Sequence, residues 1–128
     1  MSADLLMSHL TKIKVQIKNG EILHQVLQEM DYKLEYNAMV ADPFGNTKQA
    51  EYVIRRKYGY DWGFRRDGEN YEILMRGGGL MPQTVINEIT QKYAHKALMA
   101  AAREQGFNIE EEETLADGTV RVVVGRWV

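Results

Sequence analysis

Residues 52–73 read YVIRRKYGYDWGFRRDGENYEI, and in that stretch the cations Arg55, Arg56, Lys57 and Arg65 interleave with Tyr52, Tyr58, Tyr60, Trp62 and Phe64. Such cations neutralise phosphates and flat rings stack on unpaired bases, so these residue types together could equip a nucleic-acid surface. Alternation argues the other way. Read as one strand with a period of two, Tyr58, Tyr60, Trp62 and Phe64 share a face with Ile54, Ile73 and Met75, whereas Arg55, Lys57 and Arg65 share the opposite face with Asp61 and Glu72. Large aromatics on an apolar strand face usually supply burial. The rings are therefore expected in the core and most of the cations outside it. Arg56 falls on the aromatic side, where an unpaired charge is costly. Its stem is expected to pack while the guanidinium reaches water or stacks on Tyr58, with a ligand-binding arginine as the alternative.

Other chemistry is thinner. His9, His24 and His95 lie on different segments without ligand spacing, and there is no cysteine to form a disulfide or a thiolate site. No metal or cofactor is expected. Ser2 and Ser8 lack the strand-turn-helix setting that presents a nucleophile, and no catalytic residue is assigned. The string RGGGLMP at 76–82 precedes a helix but contains no phosphate-loop pattern, so it reads as a flexible connector. Glu110 to Glu113 read as a solvated edge that discourages strand addition, or as an acidic docking strip.

The elements that must position these residues follow from periodicity. Ile13, Val15 and Ile17 alternate with Lys12, Lys14 and Gln16 in a first strand from His9 to Ile17. Asn19 is placed to cap a helix from about Gly20 to Met30, with Ile22, Leu23, Val26, Leu27 and Met30 on one face. Leu34, Tyr36, Ala38 and Val40 share one face of a second strand, and residues 41–50, ADPFGNTKQA, form the main loop around an exposed Phe44. Asp67-Gly68 predicts a type I′ hairpin pairing Arg66 with Glu69, which sets Phe64 opposite Tyr71, Trp62 opposite Ile73 and Tyr60 opposite Met75.

A long second helix runs from Pro82 to Gly106, the latter a natural left-handed stop. It is about 35 Å long at 1.5 Å per residue, enough to cross a small sheet. A last hairpin turns at Asp117-Gly118 with Leu115, Val120, Val122 and Val124 on one face and Arg121 opposite Thr114. This order specifies an α+β fold: a largely antiparallel twisted sheet of five to six strands with both helices on one face, an elaborated ferredoxin-like split βαβ being one arrangement that meets it.

The totals fit one domain. A chain of 128 residues with 45% apolar and 27% charged residues is ordinary for a globular protein. Sixteen Lys and Arg against eighteen Asp and Glu leave a formal charge of −2, so any basic surface must be local. No apolar run approaches the roughly 20 residues of a membrane helix. The first residues lack the basic and apolar regions of a signal peptide, so a soluble, cytoplasmic protein without membrane insertion is expected.

Three segments together carry a resemblance: SHLTKIKVQIKN at 8–19, AEYVIRRKYGYDWGFRRDGENYEI at 50–73, and ITQKYAHKAL at 89–98 followed by QGFNIEEEETLADGTVRVVV at 105–124. They resemble the biochemically uncharacterised family of cyanobacteria and algal plastids named as the thirty-fifth hypothetical chloroplast reading frame. The resemblance makes residues 1–7 an N-terminal extension and 8–128 the single α+β domain. It implies a small accessory protein linked to the assembly of photosynthetic complexes, in the plastid stroma where the gene is plastid-borne, with no catalytic residues to carry over. The stretch LMRGGGLMPQ at 74–83 departs from the family pattern, which has a longer acidic, Trp-containing segment there.

The function expected from all this is a non-enzymatic accessory or assembly factor that binds a protein partner through Phe44, Arg55, Arg56, Lys57 and Arg65. A nucleic-acid module using the basic strand face is the first alternative. The second is a small-ligand domain or enzyme built around Arg56 and His95.

Overall fold

The computed structural model describes residues 10–41, 47–56, 61–76, 80–114, 116 and 120–126. In chain order the elements are β1 (Leu10–Lys14), α1 (Gly20–Glu29), β2 (Leu34–Ala41), β3 (Thr47–Ile54), β4 (Trp62–Asp67), β5 (Asn70–Arg76), α2 (Gln83–Glu104), β6 (Phe107–Thr114) and β7 (Val120–Arg126). β1 to β5 form one open sheet in the order β1-β5-β4-β3-β2, antiparallel at every step, and β6 pairs with β7 in a separate two-stranded sheet. β1 and β2 therefore run parallel at opposite edges with three strands between them, an expanded split βαβ. The last hairpin lies against α2 instead of extending the sheet.

Both helices share one core with the sheet, as the α+β reading expects. Leu23, Val26 and Leu27 of α1 and Ile86, Ile89 and Tyr93 of α2 pack with Trp62, Phe64, Tyr71, Ile73 and Met75. Asn19 caps α1 by accepting from the backbone N–H groups of Glu21 and Ile22 at 2.9 and 3.2 Å. The Tyr93 hydroxyl of α2 accepts from the N–H groups of Lys18 and Asn19 at 3.1 and 2.9 Å, which fixes the start of one helix to the middle of the other. Gly106, at φ 75°, stops α2 as expected.

The structure corrects the sequence reading in five places. The stretch from 52 to 66 is two strands, because the chain reverses between Ile54 and Trp62, which are cross-strand partners. Asp61 holds that reversal: its carboxylate accepts the Arg56 N–H at 3.1 Å and pairs with Arg55 at 2.6 Å. Residues 47–50 of the expected loop are strand, leaving Phe44 among the residues outside the described ones, as are Lys57, Tyr58, Tyr60, the glycines 77–79 and the Asp117-Gly118 turn.

The β4–β5 register differs by two. Asp67 pairs with Asn70 and Phe64 with Ile73, so the turn centres on Gly68-Glu69, with positive φ at Gly68 (67°) and not at Glu69. That is the II′ pattern in place of I′. A slip of two residues preserves faces, which is why the aromatic side was still assigned correctly. In the last hairpin Arg121 stands opposite Glu113, its ion-pair partner at 4.0 Å, and Thr114 opposite Val120.

The fifth correction shapes the molecule. Tyr36 pairs with Tyr52 on the helix side of the sheet, but the next pair, Ala38 with Ala50, belongs to a second cluster with Val40, Val53 and Leu74 on the opposite side. Strict alternation would keep Tyr36, Ala38 and Val40 on one face. Asn37 intervenes at φ 49°, a left-handed conformation that Asn tolerates better than most residues, and it reverses the face. The tip of the β2–β3 hairpin thereby folds across the back of the sheet. Arg55 follows Ile54, whose partner is Leu34, and a straight β2 would carry Met39 roughly 16 Å beyond that point at about 3.3 Å per residue. Instead Arg55 donates to the Met39 carbonyl at 3.4 Å, and β2 comes into contact with β5 although two strands separate them in the sheet.

Gly63 makes that approach possible. A Cβ there would stand 2.7 Å from Val40 Cγ2 and 3.1 Å from Ala50 Cβ, so a side chain would push the tip away.

Candidate functional site

Two polar constellations lie near the bend at Asn37 and share Glu51 and Arg66. On the helix side, Tyr36, His24 and Tyr52 form an aromatic group. The His24 and Tyr52 rings stack at 5.4 Å, Tyr36 meets both edge-on, and His24 Nε2 shares a 2.8 Å hydrogen bond with the Tyr36 hydroxyl. Tyr52 donates to the Gly20 carbonyl at 3.0 Å and stacks on Tyr71. The Tyr71 hydroxyl donates to Glu51 and accepts from Arg66 at 3.2 Å, while Arg66 also donates to the Lys18 carbonyl at 2.9 Å. Burial, reinforced by the adjacent Glu51 carboxylate, pushes the Tyr71 phenol up to about 12. Tyr71 is thus a locked donor that stays neutral at ordinary pH, and the group is built for holding shape.

An open cleft of about 460 Å³ lies beside the folded hairpin tip, lined by Asn37, Lys48, Gln49, Glu51, Arg65 and Arg66 among others. Arg65 pairs at 3.2 Å with Glu72, which is only 3% exposed and is the one buried charged residue among the described ones. The Lys12 and Arg65 charges hold the Lys48 ammonium below the ordinary lysine value.

The residues picked out by sequence do not form one site. Arg55 is neutralised by Glu35 at 2.8 Å and Asp61 at 2.6 Å, and those bonds hold its guanidinium even more firmly protonated than usual. Arg65 covers Glu72. The guanidinium of Arg56 does stack, as the packing alternative expects, but on Trp62 at 4.1 Å. His95 lines a groove between α1 and α2 with Ile22, Gln25, Met99 and Arg103, and Arg56 is not part of that groove's lining. Lys57 and Phe44 lie outside the described residues. Among the described residues, no group of three or more His, Cys, Asp or Glu could hold a metal ion, and no helix is long and apolar enough to cross a membrane.

Sequence reading missed Tyr36 and Lys48, because their neighbours depend on the bend. The available signal was the set of small residues, Ala38, Ala50 and Gly63, on strands that must approach closely.

A family model described as "Protein of unknown function (DUF1257)" matches residues 26–123. The chain belongs to that family. Two relatives printed as "Uncharacterized protein ycf35", from Cyanophora paradoxa and Guillardia theta, are each 27% identical over 126 residues, covering 94% of this chain and 98% of the relative. A third of that name, from Pyropia yezoensis, is 21% identical over the same share of both chains. No solved structure matches. The matched span of the DUF1257 family begins within α1 and takes in β2 to β6, so both the bend at Asn37 and the cleft-lining residues of β3 and β4 fall inside it.

Proposed function

We propose that this protein is a non-enzymatic accessory module that docks a protein partner on the β2 edge of its sheet. One observation carries the reading. β2 is an edge strand, and it presents Tyr36 (52% exposed) and Met39 (53% exposed) on either side of the bend. Tyr36 is held in place by His24 and Tyr52, so it offers a large amphipathic ring whose freedom is already restricted. Preorganised aromatics flanked by an adaptable methionine are favourable anchors for a protein surface. The neutralised state of Arg55 and Arg65 gives less support to a phosphate-tracking surface than the sequence suggested.

Relatives in three algae support seeking the partner among photosynthetic complexes undergoing assembly, with the protein in the plastid stroma or, in a cell without plastids, the cytoplasm. Affinity capture from native extract with the full chain is the test. The wild type is expected to retain a partner in stoichiometric amount, and Tyr36→Ala combined with Met39→Ser is expected to lose it without a change in melting temperature. Equal recovery by both proteins would overturn the β2 assignment. Recovery of nothing by either would overturn the accessory reading.

A further inference from the structure

The two edges of the five-stranded sheet are guarded unequally. β1 carries Lys12 and Lys14, both exposed, and lysines so placed discourage another strand from pairing there. A twofold pair formed on β1 about Ile13 would also set Lys12 opposite Lys14 of the second copy, and like charges directly opposite are destabilising. β2 carries no lysine and leaves Tyr36 exposed.

The root of β2, with the two residues that lead into it, is complementary to itself. Residues 32–36 read YKLEY. Tyr32 and Leu34 pack on the helix-covered core and Tyr36 stands on the same side against His24 and Tyr52, while Lys33 and Glu35 alternate with them. Two such segments, antiparallel about a twofold axis at Leu34, set Lys33 opposite Glu35 twice and Tyr32 opposite Tyr36 twice. Opposite charges and paired aromatics are the cross-strand combinations that stabilise a sheet.

Local geometry suits that pairing. Glu35 takes both of its Arg55 bonds through Oε2, so Oε1 can accept from a second cation. Tyr32 meets Trp62 edge-on and is only half-buried, which leaves part of its ring for Tyr36 of the second copy to cover. Tyr36 is already restrained by His24 and Tyr52, so covering it costs little side-chain freedom. The bend fixes the register. Beyond Asn37 the tip turns over the back of the sheet, so an axis placed further along β2 would set a flat root against a folded tip.

We propose that this protein pairs with a second copy of itself through the root of β2, joining two five-stranded sheets across a twofold axis at Leu34. Such a contact is isologous and uses up both β2 edges, so assembly stops at two. The surface is small, and the dimer exchanges with monomer. Tyr36 belongs both to this surface and to the partner surface proposed above, so the dimer and the partner complex exclude each other. Self-pairing is read on the purified chain alone, and its failure would leave partner docking on β2 standing.

Sedimentation of the purified full chain from micromolar to near-millimolar concentration is the test. A concentration-dependent shift from the mass of one chain to that of two is expected. Lys33→Glu and Glu35→Lys each turn two attractive contacts into repulsive ones and should weaken association about tenfold. An equimolar mixture of the two variants should recover wild-type association, because each chain then meets opposite charge at both positions. Lys33→Glu leaves the Arg55 bonds to Glu35 in place, so it reads the pairing independently of any loss of fold at Glu35. Lys12→Glu, on the other edge, should change nothing. A wild-type chain that stays monomeric throughout would overturn the proposal. So would association that survives Lys33→Glu, that falls equally with Lys12→Glu, or that does not return when the two folded variants are mixed.

Discussion

The β2–β3 hairpin has a root and a tip that obey different rules. In the root, Leu34 and Tyr36 pair with Ile54 and Tyr52 on the helix side, as alternation requires, Leu34 packing on the core and Tyr36 standing exposed against His24 and Tyr52. In the tip, Ala38 and Val40 pair with Ala50 and Lys48 in the same unbroken register, yet their side chains pack on the other side of the sheet against Leu74. Register and face are usually a single property of a strand. Here one left-handed residue, Asn37, separates them, and a missing side chain at Gly63 lets the result close. An open sheet thereby acquires a second small core and, at its rim, the cleft.

Substitutions can break that comparison in graded fashion. Leu74 and Ile73 are adjacent on β5 and equally buried, one under the tip and the other under the helices. Leu74→Ala and Ile73→Ala should therefore both cost about 2–5 kcal/mol in denaturant unfolding, the range for large-to-small core substitutions. Were the tip not folded over, Leu74 would face water and its substitution would fall within about 0.5 kcal/mol of neutral.

Next in size is a pH effect at the bend, where Glu51 accepts from Tyr71. A folded-state value of about 12 against roughly 10 in the unfolded chain means the native state keeps a proton that the unfolded state loses. Stability from this group is complete below about pH 10 and falls as the pH rises towards 12, by up to roughly 3 kcal/mol at about 1.4 kcal/mol per pH unit. Tyr71→Phe should flatten that decline in urea titrations between those pH values. An unchanged slope would remove Tyr71 as its cause.

Gly63→Ala should destabilise by about 1–3 kcal/mol as Val40 and Ala50 are forced back. The smallest effect is expected at the bend residue itself. Asn37→Val should cost about 1–2 kcal/mol because a β-branched residue resists positive φ, while Asn37→Gly should stay within a few tenths. Equal effects of the two would show that the left-handed conformation is not what sets the fold.

Much of this architecture was legible in the chain. Asn19 and Gly106 marked helix ends through their own cap chemistry, and the aromatic face of 62–75 survived a wrong turn type because the error was an even number of residues. The bend was not legible. Leu34, Tyr36, Ala38 and Val40 alternate without fault, and nothing in a period of two reports the φ of the asparagine between them. Thr47 to Ala50 escaped notice as strand because Ala50 alone among them is buried, and its burial comes from folding over the sheet, not from an alternating apolar pattern. The cations that looked exposed in sequence, Arg55 and Arg65, are instead bound by carboxylates.

The fold-over itself is open to a direct measurement, the nuclear Overhauser contacts of the Val40 methyl groups in the wild-type chain. β2 and β4 are separated by β3, and Gly63 is level with Val53 and Glu35, so in a straight hairpin Val40 would lie two strand spacings across and about 16 Å further along, roughly 19 Å away, and show no cross-peak. A folded tip gives strong cross-peaks from Val40 methyls to the Gly63 Hα protons, with further contacts to the Leu74 side chain. Val40 contacts confined to β2 and β3 would contradict the bend at Asn37, and with it the cleft.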